Sequence, residues 1–199
     1  FCFFFNGIMT LSFDILPNKF LSYKQIKILY KNLYKNNDYS LEHIIPQSKL
    51  KKNNILKRDM HNILFYPKMI NIHRSNYKYT SDENIYYDSL ILDKSGSVID
   101  DCVYDPVFNS IKTSRISQFC PNISYRGQIS RAALYFLYTY HDYKELILKD
   151  VIDIETLLQW HYTYPSTKFE KHKNNIIKEI QGNDNIFISD PNFKIYTLI

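Results

Sequence analysis

Leu41-Glu42-His43-Ile44-Ile45-Pro46, then Asp59-Met60-His61-Asn62-Ile63-Leu64, then Asn71-Ile72-His73-Arg74-Ser75-Asn76-Tyr77 stand in that order within residues 41–77, and this window decides the fold. Tyr39 to Ile45 reads as a short strand that Pro46 terminates, because proline removes a ladder donor. Lys49 to Arg58 is a basic, Asn-containing connection. Met60 to Tyr66 offers a second strand, and Pro67 suits the first turn of a following helix. Strand, loop, strand and helix therefore bring three polar clusters together.

Upstream, Ser22 stands where a helix N-cap belongs, ahead of Ile26, Leu29, Tyr30 and Leu33 at the spacing of one apolar face. Asn36-Asn37-Asp38 then breaks the pattern as a turn. Downstream, residues 79–124 lack helical periodicity. Turn signals at Ser81-Asp82, Ser95-Gly96 and Asp105-Pro106 predict irregular structure with short strands such as Leu90 to Leu92. Order returns at Arg126-Gly127, where Ile129, Ala132, Ala133, Phe136, Leu137 and Tyr140 define a helix face. Asp153 can cap a second helix with the stripe Ile154, Leu157, Leu158 and His161. Thr167 to Glu170 has capping-box spacing ahead of a third helix, with Gly182 as its stop. These three helices form the expected scaffold.

A chain of 199 residues can bury one substantial core, so one domain over 1–199 is expected: a finger at about 39–78, an irregular segment at 79–124 and a helical part at 125–190. The net charge of +5 favours a polyanionic partner. Aromatic content of 16% against 4 glycines argues against a disordered chain. Cys2, Cys102 and Cys120 show no C-x-x-C spacing, which argues against a thiolate zinc site. A Cys102–Cys120 disulfide would add on the order of 3 kcal/mol in an oxidising compartment. The apolar start Phe1 to Met9 is too short for a spanning helix.

The side chains themselves suggest roles. His43 is a candidate general base, because a neutral imidazole takes a proton near pH 7 once its other nitrogen is fixed by a hydrogen bond. Asn71 offers a hard amide oxygen suited to magnesium, and Glu42 is the natural second ligand. Glu42 and His43 are adjacent, so they can share a site only where the strand twists or ends. Arg74, three residues after Asn71, falls on the same side of a helix and can donate its fork to a phosphate. Asn62 and Asn76 read as braces for backbone groups, and His61 as an orienting group. Each alone is more often structural; their joint order carries the argument.

The window resembles the endonuclease I family of His-Me finger (ββα-metal) nucleases, whose segments run E-H-x-x-P-x-S, D-L-H-N-L and V-N-x-x-R-S-N-Y. Further similarity lies at Arg126-Gly127-Gln128-Ile129-Ser130-Arg131-Ala132, Leu157-Leu158-Gln159-Trp160-His161 and Gln181-Gly182-Asn183-Asp184-Asn185. Departures are Phe65 where a proline usually falls, Asp184 where a basic residue stands, and Ile186 where a proline follows.

The resemblance implies an α+β fold with the finger packed on a mainly helical scaffold. It also implies phosphodiester hydrolysis of DNA, with RNA as an open second substrate, largely independent of sequence and leaving 5′-phosphates. His43 is the implied base and Glu42 and Asn71 the implied ligands of magnesium, with manganese or calcium as alternatives. Lys57, Arg58, Arg74 and Arg126 are the expected substrate contacts. The resemblance suggests a periplasmic or secreted setting, and a monomer with no obligate protein partner is expected. The competing expectation is a non-cleaving nucleic-acid-binding protein that keeps the nuclease fold.

Overall fold

The computed structural model describes residues 17, 19–50, 53–81, 90–92, 98–100, 102–105, 110–113, 118–193 and 195. The start Phe1 to Met9 and the three turn signals of the middle segment fall wholly or partly outside them. Helix α1 (Tyr23–Tyr34) begins at a full capping box: the Ser22 hydroxyl accepts from Gln25 N, and the Gln25 side chain accepts from Ser22 N. Ile26 and Tyr30 are its buried face. The Tyr30 hydroxyl lies 3.0 Å from the carbonyls of both Met60 and Ile63, which fixes α1 to the finger.

Strand β1 (Tyr39–His43) pairs antiparallel with β2 (Ile63–Pro67), Tyr39 opposite Pro67 and His43 opposite Ile63. Both strands are shorter than the sequence predicts. β1 stops at His43, although Ile44 N still donates to Asn62 O at 3.0 Å. β2 starts three residues late because the Asp59 carboxylate accepts from His61 N and winds Met60–Asn62 into a 3-10 turn. Pro67 then stands at the N-cap of α2 (Lys68–Arg74), one position before the helix proper.

Alternation puts the two faces of this ribbon into different apolar surroundings. Leu41, Ile63 and Phe65 pack with Ile26, Tyr30 and Ile177, while Leu64 and Tyr66 join the larger core with Ile70, Tyr79, Ala133 and Trp160. The middle segment holds more strand than expected. β3 (Lys78–Tyr79), β6 (Cys102–Asp105), β7 (Ser110–Thr113) and β8 (Gln118–Cys120) form a sheet of order β3-β8-β7-β6, and β4 (Leu90–Leu92) pairs with β5 (Val98–Asp100). Strand β7 separates the strands carrying Cys102 and Cys120 by two strand spacings, roughly 10 Å, beyond the reach of a disulfide. Cys120 is buried and accepts a hydrogen bond from Arg126 Nη2 at 3.3 Å.

Helix α3 (Ile123–Thr139) starts ahead of Arg126 because Asn122 caps it, accepting from Ser124 N at 2.9 Å. It is central: Ile129, Ala133, Leu134 and Phe136 are all fully buried. After α4 (Lys144–Asp150), α5 (Ile154–Thr163) is capped by Asp153 as the sequence predicts. Helix α6 (Lys168–Gln181) is capped by Thr167 and closed by Gly182 at φ 85°. Its box is only half made, since the Glu170 carboxylate turns away to grip Arg131 at 2.6 and 2.7 Å. A short α7 (Ile186–Ser189) follows.

The finger is tied to these helices by a polar hub. Buried Asp59 receives the hydroxyls of Tyr135 at 2.8 Å and Tyr140 at 2.7 Å, together with the Gln181 amide at 3.2 Å. Gln181 returns an acceptor to Met60 N at 2.7 Å. The result is an α+β fold, and no helix among the described residues is long and apolar enough to cross a membrane.

Candidate active site

Where β1 ends, a cavity of about 500 Å³ opens between the finger strand and α2, with Glu42, His43, Gln47, Asn71, Ser75 and Asn76 in its walls. The two neighbours Glu42 and His43 point to opposite sides of the ribbon, and the end of the strand lets both border one space. Three features fix His43. Its Nε2 lies 2.8 Å from the Lys57 carbonyl, an acceptor only, so the proton sits on Nε2 and Nδ1 is left as the basic nitrogen. The Gln47 amide donates toward that Nδ1 at 3.2 Å. The Tyr23 ring stacks on the imidazole with centroids 5.9 Å apart and planes 5° apart, and its hydroxyl bonds Gln47 in turn.

Burial pushes the His43 pKa down to about 4, the Lys57 carbonyl opposes that shift, and the charges of Arg74 and Lys57 add to it. The imidazole is therefore neutral at pH 7 and able to accept a proton. Glu42 is 3% exposed; its Oε1 takes hydrogen bonds from Arg74 Nη1 at 2.8 Å and from the Tyr79 hydroxyl at 3.3 Å. Burial raises its pKa to about 7 against the pull of Arg74 and those hydrogen bonds. Oε2 is the oxygen left for another partner.

Asn71 donates from Nδ2 to Ser40 Oγ and to the Leu41 carbonyl, both at 3.0 Å, which turns Oδ1 to the opposite edge of the amide. A carboxylate oxygen and an amide oxygen are hard donors. No group of three or more His, Cys, Asp or Glu side chains arranged to hold a metal occurs among the described residues. This pair fits an ion that keeps several waters and needs one or two protein ligands, as magnesium does.

Two expectations about arginines are corrected. Arg74 borders the cavity but is 1% exposed, with its guanidinium on Glu42, the His43 carbonyl at 2.9 Å and the Ile44 carbonyl at 2.7 Å, and over the Tyr79 ring at 4.4 Å. Its fork is turned inward onto the finger instead of outward to a phosphate. Arg126 is buried too, donating to the Pro121 carbonyl at 3.1 Å and lying over Trp160, so it does not face the cavity.

Of the loop cations, Lys57 serves through its carbonyl and its nearby charge. Arg58 donates to the Asn54 carbonyl at 3.2 Å and lies over Phe20. Asn62 braces as expected, accepting from Ile45 N at 2.8 Å and donating to Ile45 O at 3.2 Å. His61 sits against Tyr135 and contacts the Asn183 carbonyl, an orienting position away from Asn71. Asn76 borders the cavity itself. Gln47, Tyr23 and Tyr79 were missed by sequence reasoning, and only the nearness of Gln47 to His43 could have flagged one of them.

The Endonuclease I family model matches residues 18–192 of this chain. No curated protein matches it.

Proposed function

Because the chain belongs to the endonuclease I family, a family of nucleases, we propose that it is a metal-dependent endonuclease that hydrolyses DNA with little regard to sequence and leaves 5′-phosphates. The observation that carries this reading is the fixed His43 imidazole, with Nδ1 as the base in a cavity that Glu42 and Asn71 also border. His43 Nδ1 accepts a proton from water as the water oxygen attacks phosphorus; the bond from phosphorus to the 3′ oxygen breaks, and that oxygen leaves with the electron pair and takes a proton from solvent water to become the 3′ hydroxyl. The Lys57 carbonyl holds the resulting imidazolium by its Nε2–H.

Glu42 Oε2 and Asn71 Oδ1 would hold a divalent ion, with magnesium the natural choice for two oxygen donors. That ion supplies positive charge to the scissile phosphate and leaving oxygen when bound. Arg74 keeps Glu42 aimed and ionisable, and Gln47 must leave Nδ1 before water can donate there.

In a supercoiled-plasmid assay with magnesium, His43→Ala is expected to lose roughly 10²–10⁴-fold in rate while keeping its circular dichroism. Equal nicking by wild type and variant removes His43 as the base. A wild-type protein that retards plasmid without nicking it in magnesium is a binder and not an enzyme.

A further inference from the structure

The cavity is poor in free positive charge. Among the residues bordering it, Arg74 is the one cation, and Glu42 and two backbone carbonyls already engage it. A polyanionic substrate needs cationic contacts beyond the reacting phosphate, since each one releases a condensed counterion. Helix α1 carries them. Lys24, Lys27 and Lys31 recur at spacings of three and four, which places them on one helix face away from buried Ile26 and Tyr30, and Lys35 stands at the C-cap just past its end.

All four lysines are exposed, and α1 contains no Asp or Glu. No carboxylate among the described residues pairs with them; the ion pairs there are Lys49–Asp150, Arg74–Glu42, Arg131–Glu170 and Lys178–Asp184. The stripe also begins at the site, because Tyr23, the first residue of α1, is the ring stacked on His43. Lys27 lies one turn beyond Tyr23 on the same ridge. From Lys24 to the end of α1 at Tyr34, beside the Lys35 cap, the helix rises roughly 15 Å, the span of about four phosphates along one strand of a duplex.

Resting on the nuclease reading above, we propose that this face of α1 is a track for the backbone phosphates of the nucleic acid whose reacting end lies at His43. The contacts are with phosphate, so the track adds grip and direction without reading sequence.

The test compares His43→Ala protein with the same protein carrying Lys24→Gln, Lys27→Gln, Lys31→Gln and Lys35→Gln. Binding to a duplex long enough to span cavity and helix is read by fluorescence anisotropy across a salt series. The slope of log affinity against log salt is expected to flatten by roughly three units, with affinity down at least about tenfold. A second variant with Lys149, Lys168, Lys171 and Lys178 changed to Gln alters net charge equally and should keep the slope within about one unit.

An unchanged slope in the stripe variant, or an equal loss in the second variant, overturns the track. Thermal melts of both exclude unfolding as the cause. Plasmid nicking by the wild type is scored separately: its absence would remove the nuclease reading whatever the stripe does. Normal nicking with an unaltered salt slope would remove the track alone.

Discussion

Glu42 and Arg74 form a buried pair whose worth lies in what each would leave behind. Arg74→Ala strands a desolvated carboxylate and the carbonyls of His43 and Ile44. The expected cost is about 3–5 kcal/mol in denaturant unfolding, and a loss below about 1 kcal/mol would show that the pair is not holding the strand end. Arg74→Lys keeps the charge but cannot span three acceptors, so its stability should fall between the two. That His43, Glu42 and Asn71 border one cavity was legible in the sequence, because local order puts them at a strand end and on the helix that follows. The depth of Arg74 and Arg126 was not. Spacing puts Arg74 on the side of Asn71, but it says nothing about Tyr79 and the carbonyls that enclose it. Gln47 and Tyr23 gain their importance from the position of His43 in space, which no pattern in the chain encodes.

Caps were the most legible part of α1, α5 and α6: Ser22, Asp153, Thr167 and Gly182 bound them as their side chains or φ demand, whereas the Asn122 cap of α3 was not foreseen. Strands of two to four residues in 78–120 show too little alternation to be read, so the sheet β3-β8-β7-β6 was not foreseen. Likewise the turn at Met60–Asn62 follows from one side-chain bond of Asp59 that competes with the strand ladder. Contacts between helices give another prediction. Gly127 lets α3 lie against the chain leaving α5; a Cβ there would come 2.8 Å from both Arg131 Nη2 and Tyr164 Cβ and would also strike the Tyr164 carbonyl. Gly127→Ala should therefore cost at least about 2 kcal/mol by overpacking, seen as a lower Tm. An unaltered melt would mean that the two helices can part freely.

Across the molecule the core is rich in phenols. Tyr30, Tyr66, Tyr79 and Tyr135 are fully or almost fully buried, and burial raises each pKa above its ordinary 10.0. Groups raised on folding stabilise fully below their unfolded pKa and lose that contribution as pH climbs above it, because only the unfolded chain ionises there. Above about pH 10 all four therefore favour the unfolded chain together, and stability should fall as pH climbs. Tyrosinate absorbance and loss of helical circular dichroism should rise together in one cooperative step. Gradual ionisation with the helices intact would contradict this picture.

Asp59 also sets an order on assembly. It follows directly on the turn whose Lys57 carbonyl orients His43, yet the partners that seat it lie 76 to 122 residues further along the chain. The turn beside the imidazole thus rests on residues far along the chain, and its seat is complete only with Gln181 at the end of α6 in place.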